Sequence, residues 1–210
     1  MLKTGENFIE PLFSKVVYGK QLDIDTKKII SIANNHFKNY NERSVEGQLL
    51  DQTQDLYVLN SPMLEPLKEQ ILKEFNLYIS TTMKWTNEFR ITTSWFTKSI
   101  KGQSAETHNH NNCMYSGVLY LQTDENTGNI QLCDYENKRY QLMSTEQNIF
   151  NCTSYSFSPT AGMLIFFPSE VWHSVDMNKS NITRYSMAFN LVPTGKLGNV
   201  DSSTTITVEK

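Results

Sequence analysis

The sequence predicts a mainly β chain, an antiparallel sandwich or barrel packed against helices from the N-terminal part. Three observations predict it. Short runs of β-branched and aromatic residues recur from Thr86 onward, each closed by Gly, Pro, Asn or Asp. Ahead of them, two segments carry their apolar residues at helical spacing. A chain of 210 residues with 39% hydrophobic content can also bury one sizeable core.

After Asp25, TKKIISIANNHFKNY sets Ile29, Ala33, Phe37 and Tyr40 on one helical face. Ser61 reads as an N-cap and Pro62 as the first helical residue. They open MLEPLKEQILKEFNLYI, whose Leu64, Leu67, Ile71, Phe75 and Tyr78 form a second apolar stripe. The polar stretch between the two helices is expected to be loop with a short strand. From Thr86 the period changes. NEFRITTSWFTKSI alternates through Phe89, Ile91, Thr93 and Trp95, and strand-like runs follow at SGVLYLQ, GNIQLCDY, TSYSFSP, GMLIFFP and RYSMAFNLV. Six such runs suit an antiparallel sandwich or barrel. The tail, GKLGNVDSSTTITVEK, is polar and reads as a late edge strand or a disordered end. The expected organisation is one domain: a helical support over 1–85, a β core over 86–195 and a polar tail over 196–210.

Composition removes several functions. A net charge of −3 without a basic stripe argues against nucleic acid. The longest apolar runs, such as MLIFFP, are too short to cross a bilayer. The N-terminus lacks the basic-then-apolar pattern of a signal peptide. Three cysteines at irregular spacing suit reduced thiols and hence a cytoplasm. There is no phosphate loop, no CxxC and no Ser-His-Asp order.

The chain has only four histidines, and two of them stand one residue apart in THNHNNCMYSGVLYLQ. In an extended segment His108 and His110 point to the same face. His173, in FFPSEVWHSVD, follows an apolar run and a proline, at a strand start or turn, and is the candidate third metal ligand. His36, on a helix, reads as structural. In RYSMAFNLV, alternation puts Arg184, Ser186 and Ala188 on one face, with Tyr185 and Met187 on the other. An arginine and a hydroxyl two apart, facing into a barrel, make a fork for one carboxylate. Taken singly, each reads equally well as a lining or surface residue.

The order His-x-His, a long gap, His, then Arg-x-Ser resembles the Fe(II)- and 2-oxoglutarate-dependent dioxygenases. HNHNNCMYSGVLYLQ, GNIQLCDY, AGMLIFFPSEVWHSV and RYSMAFNL are similar to a branch found in bacteria and phages and related to the prolyl-hydroxylase-like group. The resemblance covers residues 86–193. It implies a double-stranded β-helix (jelly-roll) core, with His108 as the first iron ligand and His173 as the distal one. It also implies that Arg184 pairs with the far carboxylate of 2-oxoglutarate, with Ser186 as its hydroxyl partner. Tyr120 stands where relatives place a tyrosine that reaches the same carboxylate, and Ser116 is a weaker candidate on its face. Six-coordinate Fe(II) held by three protein ligands leaves three positions, two for 2-oxoglutarate and one for dioxygen. The implied reaction hydroxylates a C–H bond and releases succinate and CO2.

One position departs from the wider superfamily, which usually has Asp or Glu where this chain has His110. The third ligand is then His110, the reading favoured here, or a carboxylate from Glu106, Asp124 or Asp134. A neutral imidazole that binds metal needs its second nitrogen held by a partner that fixes the tautomer. Two rival functions stand beside the resemblance. A three-histidine cupin-type dioxygenase would need no 2-oxoglutarate and would have no use for Arg184 and Ser186. A non-catalytic jelly-roll binding module would use the histidines structurally. Nothing in the sequence selects the substrate, small molecule or peptide, nor the oligomeric state.

Overall fold

Two antiparallel sheets pack face to face in a computed structural model that describes residues 7, 13–38, 49–134 and 143–208. The elements in chain order are β1 (Tyr18–Gln21), α1 (Thr26–Phe37), β2 (Asp51–Gln52), α2 (Glu65–Tyr78), β3 (Glu88–Ser99), β4 (Ala105–His108) and β5 (Tyr115–Gln122). They continue with β6 (Ile130–Cys133), β7 (Ser154–Phe157), β8 (Met163–Pro168), β9 (Trp172–Val175), β10 (Arg184–Leu197) and β11 (Thr204–Ile206). The larger sheet runs β1-β8-β5-β10-β3-β2, with β11 paired to β10, and the smaller runs β4-β9-β6-β7. This is the jelly-roll arrangement expected from the sequence, with helices on one outer face.

All six predicted strand runs are strands. β1, β4 and β9 were not separable from loop by pattern, whereas β2 is the short strand expected between the helices and β11 the edge strand that was one reading of the tail. β1 and β2 come from the segment expected to be helical support, and β10 runs on to Leu197. In the tail, β11 pairs with Gly195–Leu197 of β10. Tyr40, part of the polar stretch after it (to residue 48) and Tyr135 lie outside the described residues.

The helices follow their apolar stripes. Asp25 caps α1 by accepting from the Lys28 backbone N–H at 3.0 Å, and Ile29, Ala33 and Phe37 are buried as expected. At the second helix the capping expectation fails. Ser61 makes no side-chain cap bond, Pro62–Leu64 forms a 3-10 turn, and the α-helix begins at Glu65. Leu67, Ile71, Phe75 and Tyr78 are nonetheless its buried stripe. A five-residue π segment, Ile79–Met83, ends the helix at Lys84, whose φ of 57° turns the chain into β3.

β3 carries the other correction. Its alternation does not keep Phe89, Ile91, Thr93 and Trp95 on one face. Ile91 pairs with Leu191 and Thr93 with Asn190, so Thr92 is an extra residue opposite none. That bulge exchanges the two faces. Phe89 and Ile91 therefore pack under the helices, while Thr93 and Trp95 face the second sheet. On the helix side, Phe75 is fully buried, edge-on to Phe89, Tyr115 and Phe166 at centroid distances of 4.9–5.2 Å. On the other face Tyr120, Ile165 and Phe167 meet Ile130 and Leu132 of the smaller sheet. No described helix is long and apolar enough to cross a membrane.

Candidate active site

Between the sheets lies a cavity of about 420 Å³ whose walls include His108, His110, His173, Arg184, Ser186, Tyr120 and Ser116. Strand pairing explains its larger wall. Arg184 stands opposite Ser99, Ser186 opposite Thr97 and Tyr120, Ala188 opposite Trp95 and Val118, and Asn190 opposite Thr93 and Ser116. Since alternate residues share a face, these cross-strand rows all turn inward.

The histidines come together by a different route from the one expected. β4 ends at His108, and His110 lies beyond it, so strand alternation does not align the pair. His108 is instead the cross-strand partner of His173. His110 is brought in by its backbone N–H, which donates to the Ser169 carbonyl at 3.0 Å in the turn before β9. The ring centroids lie 4.3 Å (His108–His173), 5.1 Å (His108–His110) and 5.1 Å (His110–His173) apart. One nitrogen from each can be chosen so that all lie within 4.8 Å of one another, a spacing suited to one metal ion. Among the described residues no carboxylate joins this group. Glu106 is exposed, and Asp124 accepts from the Ser180 hydroxyl and the Asn126 N–H in a loop.

Tautomers are set at two of the three rings. His108 Nδ1 donates to the Glu106 carbonyl at 2.8 Å, and His173 Nδ1 donates to the Val171 carbonyl at 3.0 Å. Both rings therefore present Nε2 as the free donor atom. His110 is held instead by ring packing on Trp95, with centroids 5.7 Å apart, and on His173. Burial, reinforced by the neighbouring His108, lowers His110 to about 4. Burial also lowers His173 to about 3, against the bond to Val171. Both are neutral imidazoles at neutral pH, the form a metal requires.

Arg184 is 3% exposed, and its guanidinium lies 5.2 Å from the centre of the Tyr120 ring. Burial draws its pKa down, an effect Tyr120 opposes, and burial pushes the Tyr120 phenol up to about 12. Arg184 Nε, the Tyr120 hydroxyl and the Ser99 hydroxyl are buried without a hydrogen-bond partner. Buried polar atoms are rarely left so, because each forfeits its hydration. The cluster of donors around a buried cation is complementary to a carboxylate. Ser186, beside it, shares a 2.7 Å hydrogen bond with Thr97. Ser116 is not part of this cluster. It sits at the other end of β5, donating to Asn190 Oδ1 at 2.9 Å and bonded to the Ser169 hydroxyl at 3.0 Å. Trp95, Thr97 and Asn190 are wall residues that sequence reasoning missed. Alternation in β10 from Arg184 through Ser186 and Ala188 pointed to Asn190, while in β3 the signal was hidden by the bulge at Thr92.

Residues 93–190 match the family described as "Putative 2OG-Fe(II) oxygenase". No curated protein matches the sequence. Among solved structures, the fold resembles a Pseudomonas putida prolyl-4-hydroxylase at 14% identity and a TM-score of 0.57, over 85% of this chain and 94% of that one. It also resembles the non-heme alpha ketoglutarate dependent carbocyclase SnoK from nogalamycin biosynthesis (10% identity, TM-score 0.65, 91% and 82% covered). A third is HygX from Streptomyces hygroscopicus, solved with nickel, 2-oxoglutarate and hygromycin B (9% identity, TM-score 0.58, 85% and 83% covered). At such identities the likeness is one of fold.

Proposed function

We propose that the chain, whose residues 93–190 match the 2OG-Fe(II) oxygenase family, is an Fe(II)- and 2-oxoglutarate-dependent oxygenase that hydroxylates a C–H bond of a peptide or protein side chain. The observation that carries the site assignment is a single cavity with two ends. One end offers three convergent neutral imidazoles, and the other a buried arginine and tyrosine with unpartnered donor atoms. The first suits a divalent first-row metal, the second the far carboxylate of a five-carbon dicarboxylate. His108, His110 and His173 would hold Fe(II). Arg184 and Tyr120 would hold 2-oxoglutarate, with Ser186 beside them. Bound together, Fe(II), 2-oxoglutarate and dioxygen supply the oxidation, with release of succinate and CO2 and insertion of one oxygen atom into the substrate. The chain's own residues orient and exclude. The Glu106 and Val171 carbonyls fix two imidazole rings, Arg184 fixes the cosubstrate's tail, and Phe167, Ile130 and Val118 keep water from the inner wall. The prolyl-4-hydroxylase likeness supports a peptide or protein as substrate.

Anaerobic titration tests the reading. One Fe(II) should bind per chain, and adding 2-oxoglutarate should produce a weak visible charge-transfer band. Succinate release over pools of peptides then reports turnover. Iron binding with no spectral response to 2-oxoglutarate would move the protein to the cupin-type reading, and no iron binding would leave a non-catalytic module. The buried Arg184, whose Nε has no hydrogen-bond partner, favours the first of these three readings.

A further inference from the structure

Nearly every polar side chain on the cavity wall is already committed. Thr97 and Ser186 bond to each other, and Thr93, Asn190, Ser116 and Ser169 form a continuous chain of hydrogen bonds. His108 and His173 each use Nδ1 on a backbone carbonyl. Arg184 and Tyr120 are assigned above to the cosubstrate. Three groups are left over: the Gln52 amide, the Trp95 indole N–H and the second ring nitrogen of His110. None has a hydrogen bond to a described residue.

These three groups are contiguous. Gln52 stands opposite Thr97 on the β2–β3 pair, and Trp95 lies two residues along the same face of β3. The Trp95 ring in turn packs against His110. A second hollow of about 360 Å³ shares Leu50, Gln52, Ala105 and His108 with the main cavity. It runs between β2 and β4, which puts Gln52 where an outer groove meets the metal-binding end. Around the three polar groups the wall is apolar, formed by Leu50, Leu56, Ala105 and Val175.

Charge narrows the occupant. No Asp, Glu or Lys is among the described residues lining the main cavity, and its one fixed charge is Arg184. A charged group entering there would lose its hydration and find no partner, which is strongly unfavourable. An ammonium would also face Arg184 and the metal. The indole N–H can only donate, and the glutamine amide can donate and accept, so the complementary partner carries an accepting oxygen.

Resting on the dioxygenase reading, we propose that the Gln52–Trp95 side of the cavity is the substrate subsite. It takes an uncharged residue of an extended peptide, held through an amide oxygen, whose flanking segment lies in the groove between β2 and β4. Gln52 and Trp95 are then specificity-determining residues.

The test uses the full chain, loaded anaerobically with Fe(II) and 2-oxoglutarate. The probes are acetylated and amidated tripeptides that differ only in the central residue: Pro, Leu or Asn; Lys or Arg; Asp or Glu. Perturbation of the visible band and of tryptophan fluorescence reports binding without turnover. Neutral peptides should perturb both signals, and Lys or Arg peptides neither. Gln52→Ala and Trp95→Phe should each weaken the neutral peptides about 5- to 10-fold, the size of one lost hydrogen bond. The iron and 2-oxoglutarate titrations of Gln52→Ala should match the parent's. Equal binding of cationic peptides, unchanged affinity in both variants, or no response to any neutral probe would each overturn the subsite and leave the dioxygenase reading standing. Failure of the parent protein to bind iron or 2-oxoglutarate would remove that reading and the subsite with it.

Discussion

A neutral imidazole at position 110 leaves an ion held by the three histidines with one more unit of positive charge than a carboxylate ligand would. It is also the least constrained of the three rings, since His108 and His173 have carbonyl partners and His110 has only packing. Because no carboxylate among the described residues stands within the donor group, removing His110 leaves two ligands. His110→Ala should therefore lose most bound iron after anaerobic loading, while His110→Asp should recover part of it. Full iron occupancy in His110→Ala, by metal analysis, would sink the three-histidine assignment. Arg184 poses the same question at the other end. Losing one charged partner of a buried pair costs roughly 2–5 kcal/mol, or about 30- to 5,000-fold in affinity. Arg184→Ala should weaken 2-oxoglutarate by that range and leave iron binding nearly intact. Calorimetric titration that finds equal 2-oxoglutarate affinity would take Arg184 out of the site.

Two strands make the cavity by facing both ways. β5 turns Ser116, Val118 and Tyr120 to the site and Tyr115, Gly117 and Leu119 to the helices. Gly117 is required by close approach. A Cβ there would lie 2.3 Å from Phe189 Cε2 and 3.0 Å from Phe166 Cδ1. Phe189 is fully buried, so its ring would have to shift within packed surroundings. Gly117→Ala should thus cost about 1–3 kcal/mol, the range for overpacked cores. Urea unfolding checks it, and a midpoint equal to the parent's would show that Phe189 has room to move. Along β3, the extra residue at Thr92 lets one strand serve the helix core at Phe89 and the cavity at Trp95.

Across the whole molecule, burying two imidazoles ties stability to pH. In the metal-free protein His110 and His173 titrate near 4 and 3, below the ordinary value of 6.5. In the unfolded chain they return to that value and bind protons first as pH falls. Between about pH 6.5 and 4 the unfolded state therefore holds more protons, and folding stability declines with acidity. Above pH 7 the two histidines add no pH dependence. The metal-free protein should show a lower urea midpoint at pH 5 than at pH 7.5, and His173→Gln should flatten the difference. An unchanged slope in that variant would assign the acid sensitivity to other groups.

By itself the sequence determined the two apolar helix stripes, six of the strands, and the residue types of the site, in an order that resembles one enzyme superfamily. Those features are local: periodicity is fixed by backbone geometry, and Ile71 or Phe75 must be buried whatever the helix meets. β1, β4 and β9 were not legible, because they form only where a neighbouring strand supplies the hydrogen bonds. The inward turn of Trp95 and Thr97 was hidden as well, since the bulge at Thr92 reverses every later side chain of β3. Tertiary structure alone decided how the histidines meet. His108 and His173 are joined by strand pairing across a long separation in sequence, and His110 by a backbone bond to Ser169. It alone decided that Ser116 belongs to the Asn190–Ser169 network at the other end of β5 from Arg184. Strand register sets which residues share a row, and register is a property of pairs of strands that no single segment contains.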